Sequence, residues 1–388
     1  MKKYDIVIVG GGASGLMCAM QLVNSNKNVA ILEAGYSIGK KILVTGNGKC
    51  NLTNKNMDSD YYNRSIEAYL QKFNSIDTIK FFNSIGLETY ADESGRVYPF
   101  TNSAKSVVDI INKQLSRSKN VDILCNYFVK NIIKSDKGFV VGDDNSEIMC
   151  DNLVIACGNI DNRFLKDLKL KCIERTPSLV ALKTIESTKN LEGVRINNVK
   201  LTANVNGVNK SDMGEVLFKD GGISGVVVFN ISTLFAREKN FIGEVVIDLL
   251  PHLNKNQTME VIKSRCEKFD LVGDIFTGLF IDAVKSEIFN RCKVDEKLKT
   301  SKLTQLSMEK IAGMVHNFKF TIKGYFDNNQ VVSGGVDIDE CDFDMESKKT
   351  KGLFVIGEAC DVDGECGGYN LQWAWTSGAI VGKRLNKL

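Results

Sequence analysis

Apolar positions along the chain change texture twice, and each texture predicts a different kind of element. The opening run Tyr4-Asp5-Ile6-Val7-Ile8-Val9 is nearly continuous and of strand length, as in parallel sheets buried on both faces. Gly10 to Gly15 interrupts it, Leu16 to Val23 resumes at helical spacing, and Val29-Ala30-Ile31-Leu32 forms a second apolar run closed by Glu33. Strand, turn, helix, strand is the start of an α/β fold with a parallel sheet. Residues 61 to 86 carry helical periodicity, and Gly95-Arg96-Val97-Tyr98-Pro99-Phe100 then reads as a charged and aromatic turn before a helix over Ser103 to Leu115. Strands are predicted at Val121–Leu124, around Phe139–Val141 and at Leu153–Ile155, the last running out at Gly158.

From about residue 173 the period shifts to two. Val199-Lys200-Leu201-Thr202-Ala203-Asn204-Val205 alternates and Asn206-Gly207 is a strong hairpin turn; Glu244 to Leu249 and Phe318 to Ile322 alternate similarly. Between these, about 256–312, the pattern is helical and charged. The first texture returns with the buried strand Gly352 to Gly357, an acid-bearing loop and a helix over Leu371 to Leu385. The expected organisation is a discontinuous nucleotide-binding domain, 1–172 and 333–388, with a β-rich domain inserted over 173–332 and carrying the helical excursion.

The opening turn has the GxGxxG spacing. Gly10 permits the tight turn, Gly12 lets a pyrophosphate approach the backbone, and Gly15 lets the helix pack closely on the sheet. The helix N-terminus adds unpaired N–H groups and the positive end of its dipole. Glu33 stands where an acid accepts hydrogen bonds from ribose hydroxyls and disfavours a 2′-phosphate, so FAD or NAD is expected rather than NADP. After it, Ala34 to Asn54 is rich in Gly, Lys and Asn and offers backbone and side-chain donors along a cofactor. Gly158 is a second place where bare backbone could approach it.

Length and composition narrow the class. The chain has 388 residues, enough for two or three domains, and a formal charge of +3 with no basic stripe of the kind that tracks phosphate backbones. Eleven cysteines, scattered without a CxxC, point to free thiols and a reducing, cytoplasmic setting. Asp5 and the glycines rule against a signal peptide, and no stretch reaches the roughly 18 apolar residues of a membrane helix. With only His252 and His316 present, histidine-based hydrolysis or metal catalysis is not expected, and both are assigned structural or surface roles. A redox pair at Cys360 and Cys366 is conceivable against a simple packing role, and Trp373 and Trp375 are read as packing residues. Arg96 and Tyr98, with Cys50, are the candidates for catalysis, since an arginine near the reacting centre can stabilise an anionic substrate or enolate oxygen.

Taken together, Gly10 to Glu33, Lys41 to Asn54, Gly95 to Pro99, Gly222-Ile223-Ser224-Gly225, Gly357 to Gly364 and Gly367-Gly368-Tyr369-Asn370 resemble the HI0933-like family of bacterial FAD-dependent oxidoreductases. That family includes aminoacetone oxidase-like flavoproteins and the reductase of bile-acid dehydroxylation. The resemblance spans nearly the whole chain and implies FAD, a Rossmann-like two-dinucleotide-binding-type fold, and an inserted β-barrel domain with a helical subdomain. Carried over by position, Gly10, Gly12, Ala13, Ser14 and Gly15 would hold the pyrophosphate and Glu33, followed by Ala34, the adenosine ribose. Lys41, Gly46, Gly48, Cys50 and Asn51 would flank the cofactor, and Val129 would contact adenine through its backbone. Gly357, Glu358 and Asp361 would sit near the ribityl and phosphate portion, and Gly368, Tyr369, Asn370 and Leu371 by the isoalloxazine. One departure is a segment after Gly158 shorter than the family's.

The expected activity is hydride transfer through flavin N5, as reduction of an activated C=C bond in a small molecule fed by NADH or NADPH. No second GxGxxG is present, so the nicotinamide would dock transiently. Alternatives are an amine oxidase passing electrons to O₂, and a flavin-dependent RNA-modifying or non-catalytic flavin-binding protein.

Overall fold

Val7 and Ile8 are completely buried because the strand they belong to, Lys2–Val9, has a neighbour on each side. It pairs in parallel with Val29–Glu33, which pairs with Val121–Cys125, and on the other side with Glu147–Ile155. The far edge of Glu147–Ile155 is shared: its first half pairs antiparallel with Gly138–Gly142, and its last residues pair parallel with Leu353–Val355. Asn131–Ser135 completes the sheet. Chain order thus reverses on either side of Lys2–Val9, which makes the carboxyl ends of that strand and of Glu147–Ile155 a topological switch point.

The structure is a computed structural model and describes residues 1–158, 168–327 and 331–388. It divides into Met1–Thr176 with Gln330–Leu388, and Pro177–Asn329. In the first unit, the helix Ala13–Met20 follows the glycine turn and lies against the final helix, Tyr369–Asn386. Their contact is backbone on backbone. A Cβ on Gly378 would stand 2.4 Å from the Ser14 carbonyl oxygen, and one on Gly382 would stand 2.6 Å from that of Cys18. Further along the final helix, the fully buried Trp375 donates its indole N–H to Leu52 O at 2.9 Å. Gln372, also fully buried, is satisfied on both sides: its amide oxygen accepts from Thr53 and Thr78 hydroxyls, and its amide nitrogen donates to Thr376 and to Phe73 O. Paired in this way, a buried amide fixes one geometry instead of costing the penalty of an unmade bond.

The second unit contains a closed antiparallel barrel, in order Leu182–Thr184, Gly222–Ser224, Val208–Lys219, Arg195–Val205, Gly243–Asp248 and Phe318–Tyr325. Alternation puts Leu201, Ala203, Val245, Ile247, Phe318 and Phe320 inside, all fully buried. Asn206 and Gly207 both have positive φ, the type I′ geometry expected of that dipeptide, and Val205 pairs directly with Val208. Helices Lys255–Cys266, Asp282–Cys292 and Gln305–His316 form the helical excursion.

Two local expectations change. The periodicity over 61 to 86 resolves into separate helices, Glu67–Leu70 and Ser75–Ser84, because Asn74 and Asp77 form a capping box that starts the second afresh. Arg96–Pro99 is the central strand of a small sheet with Thr53–Asn54 and Thr89–Ala91, not a turn. Val97 and Pro99 face inward while Arg96 and Tyr98 are half-exposed on the other face. No helix among the described residues is long and apolar enough to cross a membrane.

Replacing Gly378 by Val forces the two helices apart at a backbone contact. The expected cost is about 1–3 kcal/mol, and a thermal melt should show Tm lower by roughly 2–4 °C per kcal/mol; an unchanged Tm would show that the contact gives way freely.

Candidate cofactor site

A cavity of about 680 Å³ opens at the switch point. Gly10, Gly12, Ala13 and Ser14 line it. A side chain on Gly12 would meet nothing within 4 Å, and the following helix has no side-chain cap, so its first N–H groups are left for a ligand. Glu33 and Ala34 line the same cavity. The Glu33 carboxylate accepts from Gly11 N–H at 2.9 Å and from Gly35 N–H at 2.7 Å, so it braces the two loops beside the cavity. Val129 lines it too, with Tyr127 and Phe128, two aromatics the sequence pattern had not singled out. They follow the strand Val121–Cys125, and Tyr127 N–H is fixed to Glu33 O.

Lys41, Gly158 and Glu358 form another part of the wall. Lys41 is ion-paired with Glu358, whose other oxygen accepts from Val332 N–H at 3.0 Å. Arg175 joins this network unannounced by any motif: its guanidinium donates to Gly158 O and, at 3.2 Å, to Glu358 O. Burial lowers its pKa, opposed by the Glu358 carboxylate. The short segment after Gly158, over 159–167, lies outside the described residues. Asn370 and Leu371 line the cavity together with Trp373, whose indole N–H donates to Gly357 O at 3.0 Å.

The remaining candidates lie off the cavity wall. Gly15 and Gly357 are packing contacts; a Cβ on Gly357 would strike the Ser14 hydroxyl at 2.4 Å. Asp361 is buried and accepts from Gly334 N–H. Gly46, Asn51, Arg96, Tyr98, Gly368 and Tyr369 gather in one place. A Cβ on Gly46 would lie 3.8 Å from the Tyr98 ring, and one on Gly368 would lie 3.0 Å from the Asn51 amide oxygen. That oxygen is buried and has no hydrogen-bond partner among the described residues. Arg96 and Tyr98 share the half-exposed face of their strand, and the Arg96 charge opposes the burial that raises the pKa of Tyr98 and of Tyr369. Gly48 has positive φ in the adjoining turn, Thr45–Gly48.

Cys50 is fully buried, and desolvation pushes its thiol up to about 12, so it holds no thiolate at neutral pH. Cys360 and Cys366 are separate thiols. His316 bridges Thr258, at 2.8 Å from Nε2, and Asp248, at 2.8 Å from Nδ1. The chain resembles a nucleophile triad, but the Thr258 hydroxyl belongs to a completely buried residue and no substrate reaches it.

The residues present fit FAD. Bare backbone at Gly12 suits a pyrophosphate, and the orphaned Asn51 oxygen needs a donor such as a flavin ring N–H. A Rossmann-like sheet with this cavity at its switch point and an inserted barrel defines an FAD-dependent oxidoreductase. More closely, the chain belongs to the HI0933-like family: the family's model, described as HI0933-like protein Rossmann domain, matches residues 4–384. It is 33% identical to the 3-dehydro-bile acid delta(4,6)-reductase of Clostridium scindens, over 97% of this chain and 98% of that protein. It is 28% identical to the ribosomal RNA dihydrouridine synthase of Haemophilus influenzae, over 97% of each. Among solved structures, 3-ketosteroid delta1-dehydrogenase from Sterolibacterium denitrificans shares the fold with a TM-score of 0.54 at 12% identity, each chain fully covered.

Glu33→Ala removes a charged acceptor that organises the cavity. FAD affinity of the apoprotein, followed by flavin fluorescence, should fall at least about tenfold, since hydrogen bonds to charged groups contribute about 1.5–3 kcal/mol. Full affinity would place the ribose contact elsewhere.

Proposed function

We propose that the protein reduces a C=C bond conjugated to a carbonyl group, with NADH or NADPH as the source of electrons. One observation carries this: two relatives with unlike substrates bear names that describe the same bond chemistry. A 3-dehydro delta(4,6) bile acid is a dienone, and dihydrouridine is uridine with the ring double bond next to a carbonyl saturated. The substrate is a small dienone of steroid type, following the relative of higher identity.

FAD, when bound, supplies a two-electron carrier that accepts a hydride from the nicotinamide and delivers it through N5. Gly10, Gly12, Ala13 and Ser14 would hold the pyrophosphate at the helix N-terminus, Glu33 would take the ribose hydroxyls, and Val129 would border the adenine. Lys41 and Glu358 would steady the middle of the cofactor, and Asn370 and Leu371 would lie by its ring. Asn51, whose buried oxygen lacks a donor among the described residues, would accept a ring N–H. Arg96, with Tyr98 beside it, neutralises the oxygen that turns anionic when the conjugated bond takes a hydride; such a donor contributes about 10²–10³ in rate where it has been removed.

A second substrate is favoured by the RNA-modifying relatives, which match over nearly their whole length. A formal charge of +3 offers no broad phosphate-tracking surface, so the small molecule is preferred.

Incubation with NADH or NADPH and, in parallel, a 3-oxo-4,6-diene steroid and ribosomal RNA fragments tests both. Mass spectrometry should find two added hydrogens per bond in the steroid, and Arg96→Met should lower that rate by about 10²-fold or more. Hydrogenated RNA alone would transfer the assignment to uridine. Hydrogen peroxide from an amine, with no reduced product, would overturn the reductase.

A further inference from the structure

Saturating a C=C–C=O unit takes a proton as well as a hydride. The hydride forms a C–H bond at the β-carbon, the π pair moves to the carbonyl oxygen, and the enolate becomes product only when its α-carbon is protonated. Most groups near Arg96 are unsuited to that step. Arginine keeps its proton throughout the working pH range. Lys41 is tied to Glu358, and Cys50 has no exposed surface. The phenols remain.

Tyr369 is the one whose position is most fully determined. It is the first residue of the final helix, immediately before the cavity-lining Asn370 and Leu371. Its ring stacks on Tyr61 with centroids 4.4 Å apart and planes 20° from parallel, and it meets the edge of Tyr62 at 6.1 Å. Below it is bare backbone: a Cβ on Gly367 would lie 2.6 Å from its Cε2. The Tyr62 hydroxyl donates to the Tyr369 carbonyl oxygen at 2.8 Å. Tyr369 is buried, whereas Tyr61 is 38% exposed, so the pair connects the interior with solvent. Burial, then the Tyr61 phenol, raises the Tyr369 pKa against the pull of Arg96, which keeps the hydroxyl protonated at neutral pH.

We propose that Tyr369 donates the proton to the substrate α-carbon and that Tyr61 passes it a replacement from solvent. The assignment rests on the C=C reduction proposed above. The Tyr369 O–H bond breaks as the Cα–H bond forms; the phenolate left behind takes the Tyr61 proton, and water restores Tyr61. The substrate gains two electrons, the reduced flavin loses two, and the nicotinamide returns them.

A nitroalkene separates the two halves of the reaction, because its hydride adduct is a stable nitronate that leaves without enzymatic protonation. Pre-reduced holoenzyme is mixed under argon with cyclohex-2-enone or with 1-nitrocyclohexene, and the return of flavin absorbance is timed. For Tyr369→Phe the ratio of nitroalkene to enone rate should rise about 10²-fold or more, the usual worth of a positioned acid, with nitronate as the released product. Tyr61→Phe, at a partly exposed ring, should shift the ratio in the same direction by a smaller factor, and it decides the matter if the first variant does not fold. Equal slowing with both acceptors means a structural role and overturns the proposal, as does a ratio that moves in Tyr98→Phe but not in Tyr369→Phe. If the wild-type protein reduces neither acceptor, the C=C reduction itself fails and the proton donor with it.

Discussion

Backbone has to touch backbone where the first and last helices of the FAD-binding unit meet. Ser14 sits at this junction, with Gly357 against its hydroxyl and Gly378 against its carbonyl oxygen, and neither neighbour has room for a Cβ. That approach brings the N-terminus of one helix and the loop leading to the other to one side of the sheet. The cavity wall therefore draws on Gly12 to Ser14 and on Glu358, Asn370 and Leu371, segments from opposite ends of the chain. A side chain of any size at these glycines would open the junction, and the cavity depends on it.

The rest of the site is layered on that junction by polar contacts. Trp373 and Trp375 are apolar in bulk, yet each spends its indole N–H on a backbone carbonyl, Gly357 and Leu52 respectively. The final helix is thereby keyed to the segments that carry Gly357 and Leu52. Gln372 adds Thr53 and Thr78 to the same helix. Arg175 holds the carbonyl oxygens of Gly158 and Glu358, and Lys41 holds the Glu358 carboxylate. Beside this framework Arg96 acts electrostatically on two phenols, Tyr98 and Tyr369.

What the sequence revealed follows from the range of the forces involved. The glycine turn, its flanking strand and helix, and the Asn206-Gly207 hairpin obey local rules, and all are legible within a few residues. The fold class, an FAD-binding Rossmann-like domain with an inserted barrel, followed from those segments together with the family motifs. Arg96–Pro99 reads as a turn in the sequence because its partners, Thr53–Asn54 and Thr89–Ala91, are too short to display a period of two. Arg175, Gln372 and the stacking of Tyr61 on Tyr369 gave no signal, since each depends on a partner far away in the chain that no spacing rule can supply.

The most direct measurement is the visible spectrum of the purified protein under argon as NADH or NADPH, and then a 3-oxo-4-ene steroid, is added. The account predicts a yellow protein that bleaches with the nicotinamide and regains its colour with the enone. A flavin that bleaches but stays reduced in the presence of the enone, and is reoxidised only when oxygen is admitted, would contradict it.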